Sequence, residues 1–594
     1  MKINDRIQAL RALMKENNID VYFVPSADNH QSEYTGSHFR ARAFITGFTG
    51  SAGTAIITQT EAGLWTDGRY FIQAENQLKG SEVKLFKMGN PGVPTIDEYL
   101  DQVLTSGSTL AFDGRVLSMS EGLRFANKFS RKNVKIQDKL DLIDAVWKDR
   151  PAMSEAPVFF LEEKYTGEST ASKLARVRDF MKENGATVHL LITLDDIAWL
   201  LNLRGRDVMY TPVFLAYAAV TMEQVHLFIN ESKISNEIKI LLDNDGIVLH
   251  PYNDVYAYTE NLASSEVVLL DSARLNYALY NSIPAGIKTI DKMNPSVVFK
   301  AMKNEVEAEN IKIAHVKDAV AHTKFMYWLK NNYDKEVITE LSASAKLESL
   351  RAEQENFLWP SFSTISAFGA HAAMCHYSSS EETDCQLMPG TFYLSDSGGN
   401  YWEGSTDITR TVALGEVSAE LKNHFTNVLR GNLALSNAKF LYGCTGQNLD
   451  ILARQYLWNA GLDYNHGTGH GVGYLLSIHE APCRIRWQQG FESIPLSHGM
   501  VLSNEPGLYI ENSHGIRLEN ELLVRKGLKN GYGQFMEFEV ITYVPFDLDA
   551  IDTSLMRDDE KDLLNNYHKL VFDTVSPYLT AAETEWLKHY TRAI

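Results

Sequence analysis

Apolar positions recur at helical spacing between residues 5 and 18 (Ile7, Leu10, Leu13, Met14), and Val21-Tyr22-Phe23-Val24 follows as a short buried strand. Tight glycine turns around Ser51, the strand Thr54-Ala55-Ile56-Ile57-Thr58 and a second strand running to Thr66 before the Asp67-Gly68 turn complete the unit. The same order returns about 170 residues later. Helical spacing over 172–184 leads to Val188-His189-Leu190-Leu191-Ile192, then a turn at Gly205, a strand over 213–221 and His226-Leu227-Phe228-Ile229. The echo predicts two related α/β domains. Polar, proline-flanked joints at 149–157 and 293–296 divide the chain into 1–152, 153–298 and 299–594. The third domain opens with a long amphipathic helix (Ile313, Val316, Val320, Tyr327), continues as strands, and ends in an extension over about 535–594 with charged helices near Asp562. The fold class is α/β (α+β).

One strand pair in the third domain carries acids where apolar neighbours predict sheet interior. Asp396 follows Phe392-Tyr393-Leu394, and Asp407 precedes Ile408, with Gly398-Gly399-Asn400 predicting a tight reversal between them. A buried carboxylate costs several kcal/mol, roughly, unless a counter-charge accompanies it.

Composition narrows the partners. With 594 residues, 44% hydrophobic, 22% charged and a net charge of −19, the chain reads as a multidomain soluble protein unsuited to nucleic acid or an anionic membrane. No apolar run reaches the ~20 residues of a membrane helix, and the charged start Met1-Lys2-Ile3-Asn4-Asp5 lacks the apolar core of a signal peptide. Cys375, Cys385, Cys444 and Cys483 are spaced for neither a disulfide framework nor a zinc knuckle, so buried free thiols and a cytoplasmic setting are expected. The glycines around Ser51 lack the Gly-Lys-Ser/Thr of a phosphate loop.

Downstream of Asp407, glycine fills every second position of His466-Gly467-Thr468-Gly469-His470-Gly471-Val472-Gly473, which rules out a helical HExxH-type site and demands extended chain with close backbone contacts. Glu505 stands directly before a proline turn, and Glu519 within an alternating strand pattern. Singly each is a surface carboxylate; together, four acids at strand ends and a glycine-flanked histidine form an inward-pointing cluster that cations must neutralise. Oxygen-rich ligation with one imidazole suits Mn²⁺, Co²⁺ or Fe²⁺, with Zn²⁺ also possible, and two ions balance the charge better than one. Paired metals activate a shared water at neutral pH, a nucleophile fit for amide hydrolysis.

In that order, Asp396, Asp407, His470, Glu505 and Glu519 resemble the five ligands of the pita-bread metallopeptidases, most of all the three-domain cytosolic aminopeptidase P (Xaa-Pro aminopeptidase) family. The resemblance extends to Gly50-Ser51-Ala52-Gly53-Thr54-Ala55 and Trp65-Thr66-Asp67-Gly68-Arg69-Tyr70-Phe71, to Ile197-Ala198-Trp199-Leu200-Leu201-Asn202-Leu203-Arg204-Gly205, to the stretch 466–473 and to Leu564-Asn565-Asn566-Tyr567-His568. It implies two creatinase-N-terminal-like domains ahead of a pita-bread catalytic domain, two divalent ions per chain (Mn²⁺ first), and a homodimer. It further implies that Asp407 and Glu519 bridge the ions, that Asp396 completes one site, and that His470 and Glu505 complete the other. Glu505 would also accept the proton of the attacking water, and His376, His466 and His479 would bind substrate, with His479 on the oxyanion side. Arg517 would hold a metal carboxylate from behind. Where the family usually has His-Glu-Gly-Pro this chain reads His479-Glu480-Ala481-Pro482, which adds one methyl group to the pocket wall.

The implied activity is removal of the first residue from short peptides with proline second. The Xaa-Pro amide lacks a hydrogen, which hinders proteases that dock substrate as a strand. Prolidase is the enzymatic alternative, and a pita-bread protein that binds without catalysis is the alternative of another class. Methionine aminopeptidase leaves two N-terminal domains without a role.

Overall fold

The duplicated pattern appears as two six-stranded sheets of the same order. In the computed structural model, which describes residues 1–490 and 494–594, the chain divides into two compact units, Met1–Leu161 with Glu168–Ser296, and Glu162–Gly167 with Val297–Ile594. The first unit holds both sheets. One runs Val83–Lys87, Ala62–Thr66, Thr54–Thr58, Val21–Pro25, Thr109–Ala111, Lys135–Gln137; the other runs Ile247–His250, Val225–Ile229, Ala216–Thr221, Val188–Leu191, Val267–Leu270, Lys288–Asp291. In each, the strand that comes first in sequence lies fourth, antiparallel to one neighbour and parallel to the other. The helix Ile3–Glu16 covers the first sheet with Ile7, Leu10 and Met14, the stripe its spacing predicts.

The second unit is built around the helix Glu305–Asn332, started by Asn304, whose side chain accepts from the N–H groups of Val306 and Glu307. A three-stranded sheet (Ile365–Phe368, Thr391–Ser397, Ile408–Leu414) and a six-stranded one (Lys439–Leu441, Gly533–Val540, Asn520–Asn530, Val501–Asn504, Gly469–Gly471, Glu480–Ile485) carry the predicted acids and histidines. The core beneath them packs Phe325 and Leu329 against Phe392, Ile408, Val412, Phe425 and Leu429.

Three expectations change. The buried side of the long helix is partly polar: His315, Asp318, His322 and Thr323 are fully buried while Ile313 is exposed. Two of those groups have partners: Asp318 takes a hydrogen bond of 2.7 Å from Arg351 Nε and another from Thr406 Oγ1, and His315 Nε2 lies 3.1 Å from Glu521 Oε2. The His322 ring nitrogens and the Thr323 hydroxyl are buried without a hydrogen-bond partner. Gly398-Gly399-Asn400 is not a tight reversal. Thr391–Ser397 does pair antiparallel with Ile408–Leu414, but Gly399–Tyr401 leaves to pair with Phe357–Pro360 and Gly404–Ser405 before the chain returns. Glycine is needed at 398 for close approach: a Cβ there would lie 1.8 Å from the Thr406 carbonyl oxygen. Finally, the four cysteines are free thiols, but only Cys483 is buried.

Gly398→Ala should therefore force the two return strands apart and lower stability by about 1–3 kcal/mol or more, read as a lower urea midpoint. Gly531→Ala, whose Cβ would meet nothing within 4 Å, should leave the midpoint within about 0.5 kcal/mol of the parent.

Candidate active site

The predicted residues leave their strands where regular pairing stops, which is where a carboxylate can turn from the sheet. Asp396 stands opposite Ile365 and Thr409, near the end of Thr391–Ser397. Asp407 lies one residue ahead of Ile408–Leu414, and its N–H donates to Glu521 Oε1 at 2.7 Å. His470 is the middle residue of Gly469–Gly471. The flanking glycines let the backbones close in, since a Cβ on Gly469 would sit 1.9 Å from the Ser503 oxygen and one on Gly471 2.4 Å from that of Glu480. Glu505 directly follows Val501–Asn504, and Glu519 lies between His514–Arg517 and Asn520–Asn530.

These segments meet. Ligand atoms of Asp407, His470 and Glu519 all lie within 4.8 Å of one another. His470 Nε2 is 3.6 Å from Asp407 Oδ2 and 3.5 Å from Glu505 Oε1. Its Nδ1–H donates to the Gly471 carbonyl at 2.9 Å, which fixes Nε2 as the nitrogen bearing the lone pair. Asp396 joins through Arg517, whose Nη2 donates to Asp396 Oδ2 at 2.5 Å and whose Nη1 donates to the Tyr509 hydroxyl at 2.7 Å.

The three further histidines differ in setting. The His479 ring stands edge-on to His470 with centroids 4.3 Å apart. His376 lies in the half-buried turn after Gly369–Ala373, close enough for its charge to bear on His466. His466 has both ring nitrogens engaged: Nδ1–H donates to Gly467 O at 2.7 Å, and Nε2 accepts from the Tyr509 hydroxyl at 2.8 Å. Arg517, Tyr509 and His466 thus form one chain of hydrogen bonds behind Asp396. Ala481 joins Pro482 through a cis peptide bond.

Comparison with known proteins follows the same lines. The profile of the metallopeptidase family M24 matches residues 309–526, and that of the C-terminal region of peptidase M24 matches 534–594. Profiles of the creatinase/prolidase N-terminal domain match 6–146 and 149–307. The chain is 38% identical over 631 residues to aminopeptidase P2 of Arabidopsis thaliana, covering 100% of this chain and 89% of that protein. It is 39% identical over 608 residues to a probable Xaa-Pro aminopeptidase P of Neurospora crassa, covering 99% and 88%. The chain belongs to the aminopeptidase P family of M24 metallopeptidases. The crystal structure of an X-prolyl aminopeptidase from Caenorhabditis elegans, a cytosolic enzyme with a di-nuclear active site, matches with a TM-score of 0.96 at 33% identity over 100% of both chains. The prolidase of Pyrococcus horikoshii shares the fold at 24% identity and a TM-score of 0.50, covering 63% of this chain and 99% of its own.

The donor set of this family member fits metal ions. A lone pair on His470 Nε2 facing carboxylate oxygens at 3.5 and 3.6 Å is too far for a hydrogen bond and repulsive without a cation between them. Donors bound at about 2.0–2.2 Å to one ion stand about 3–3.5 Å apart, which is close to this spacing. Asp396 Oδ1 is buried without a hydrogen-bond partner. Four carboxylates crowd together, three of them (Asp396, Glu505 and Glu519) within the field of Arg517, and the electrostatics record it. Burial pushes the Glu505 carboxyl up to about 7, with Arg517 opposing and Asp396 adding to the rise. Burial, then the neighbouring carboxylates, hold Asp407 and Glu519 well above the usual range.

Sequence patterns alone do not reveal several supporting residues. Thr409 Oγ1 donates to Glu519 Oε2 at 2.7 Å and accepts from Arg517 Nε at 3.2 Å. Ser503 Oγ lies 3.2 Å from Glu505 Oε1, and Glu521, fully buried, has His315 Nε2 3.1 Å from its Oε2. A Thr or Ser in a strand carries no signal of this kind; Glu521, two residues beyond Glu519 on the same alternation, did offer one.

Because the folded-state carboxyl of Glu505 titrates above its unfolded value of about 4.3, its contribution to stability is full below that value and lost as pH rises through about 7. Asp407 and Glu519 act in the same direction. The unfolding midpoint of metal-stripped protein should therefore fall between about pH 5 and 8, while metal-loaded protein stays level. Glu505→Gln should flatten that slope and raise the stripped protein's stability at about pH 8 by on the order of 1–3 kcal/mol. Thermal melts across this range check both.

Proposed function

We propose that the chain is a dimetal aminopeptidase that releases the first residue of short peptides with proline second. The observation that carries the reading is the convergence of Asp407, His470 and Glu519 within 4.8 Å, in a chain related along its whole length to aminopeptidase P. In this reading the five side chains would hold two divalent ions: Asp407 and Glu519 would serve both, Asp396 would complete one set of donors, and His470 and Glu505 would complete the other. The ions, most naturally Mn²⁺ with Co²⁺, Fe²⁺ or Zn²⁺ as alternatives, would acidify a water and polarise the scissile carbonyl.

The protein's own groups do the rest. Glu505, whose carboxyl burial raises, takes a proton from the attacking water and returns it to the departing proline nitrogen. His479, beside His470, donates to the oxygen that gains charge at the attacked carbon. His376 and His466 bind substrate, His466 by exchanging its Tyr509 hydrogen bond for one to the peptide. Arg517 keeps Asp396 ionised and aimed. Domain boundaries near residues 152 and 298, a cytoplasmic setting and a homodimer belong to the same reading. The paired sheets support the boundaries, and the family resemblance supports the other two.

A Xaa-Pro-Xaa tripeptide should be cleaved after its first residue and a Xaa-Pro dipeptide poorly; preference for the dipeptide would make the protein a prolidase. Chelation should abolish turnover and Mn²⁺ restore it. Glu505→Gln should cut kcat by about 10²–10⁴ and weaken the metal set it completes with His470, whereas Asp407→Asn, at a residue both ions would share, should lose metal and activity together. Full activity after exhaustive removal of metal would defeat the proposal.

A further inference from the structure

A second cluster of metal-ligating side chains lies outside the acid-rich centre. Glu340, the first residue of the helix Glu340–Ala352, is fully buried. Its Oε1 lies 2.9 Å from His371 Nδ1, and Cys385 Sγ lies 3.7 Å from the same nitrogen. One donor atom from each of the three falls within 4.8 Å of the other two. The cluster is rigidly backed. Glu340 Oε1 also accepts from the Phe368 N–H at 2.7 Å, and Oε2 accepts from the Tyr377 hydroxyl at 2.8 Å. The Glu340 N–H donates to the Cys385 carbonyl at 3.2 Å, and the His371 ring stacks on Tyr377 with centroids 4.7 Å apart.

The spacing is that of a tetrahedral site. With Zn–S about 2.3 Å and Zn–N and Zn–O about 2.0–2.1 Å, the S···N edge of a tetrahedron is about 3.5 Å and the N···O edge about 3.3 Å. The observed S···N distance of 3.7 Å is a little longer than its edge and the N···O distance of 2.9 Å, a hydrogen bond, is shorter than its edge, so an ion enters as that hydrogen bond opens. His371 is 31% exposed and Cys385 only partly buried, which leaves the side opposite Glu340 open to an ion and its water.

We propose that Glu340, His371 and Cys385 form a separate site for one thiophilic divalent cation, Zn²⁺ by donor type, with water as the fourth ligand. Thiolate, imidazole and carboxylate suit zinc, whereas the sulfur-free centre formed by Asp396, Asp407, His470, Glu505 and Glu519 suits harder ions. Binding opens the Nδ1–H···Oε1 hydrogen bond between His371 and Glu340, releases the thiol proton to solvent, and moves the ring proton of His371 through solvent from Nδ1 to Nε2, so that Nδ1 presents its lone pair to the ion. The two ligands on the loop enclose His376, so both ends of the segment carrying that histidine are tied to one ion.

Sulfur makes the site separable by experiment. Full-length, Mn²⁺-loaded protein titrated with Co²⁺ should develop a thiolate-to-cobalt charge-transfer band that saturates at one equivalent. Cys385→Ser and His371→Ala should each abolish it, and Glu519→Gln should keep it. No band, or a band that survives Cys385→Ser, overturns the proposal. Unmodified protein gives a second reading that needs no variant. Saturating Zn²⁺ should slow iodoacetamide alkylation of Cys385 at least tenfold while Cys444 reacts as before, and an unchanged Cys385 rate overturns it equally.

Discussion

Negative charge brought together out of water is the constraint on which the catalytic half of this molecule depends. A like-charged pair 4 Å apart at a protein-like dielectric repels by about 4 kcal/mol, and Asp396, Asp407, Glu505 and Glu519 gather with Arg517 as their guanidinium partner. Without cations the cluster must take up protons, which is what the raised carboxyls of Asp407, Glu505 and Glu519 express. The fold tolerates the crowd because each acid is held by rigid backbone from a different segment. The strain is the form in which the site stores its affinity for dications.

What holds the acids is largely a set of groups outside the five proposed donors. The Asp407 N–H is gripped by Glu521, the Glu519 carboxylate by Thr409, and the Glu519 carbonyl by Arg410 Nη1 at 2.5 Å. Arg410 itself is fully buried. Asp318 and His315 on the long helix hold Thr406 and face Glu521, so a polar stripe runs through the middle of an otherwise apolar core. Displacement of any of these groups would move an acid by a fraction of an ångström, which is enough to alter coordination.

Much of this was legible in the sequence because it is local. The 170-residue echo announced the duplicated sheets, the acids at Asp396 and Asp407 stood out against apolar neighbours, and alternate glycines around His470 announced close backbone contact. The helix Glu305–Asn332 was legible as a helix, but its buried face was not: His315 and Asp318 look like a solvated side until partners more than thirty residues distant, Glu521 and Arg351, are in place. Gly398-Gly399-Asn400 looks like a turn because a glycine required for clearance and one required for a positive φ are the same letter. Thr409 and Ser503 gave no signal, since hydroxyls in strands are common and only geometry shows what they hold.

The far end of the chain enters this centre by a single hydroxyl. Tyr567, on the helix Asp558–Val575, receives a hydrogen bond of 2.9 Å from Arg410 Nη2 and donates one of 2.6 Å to the Val544 carbonyl, fixing the guanidinium that grips Glu519. The hold on Glu519 is therefore only as firm as the docking of this helix, and the metal centre inherits a dependence on a segment that supplies none of its donors.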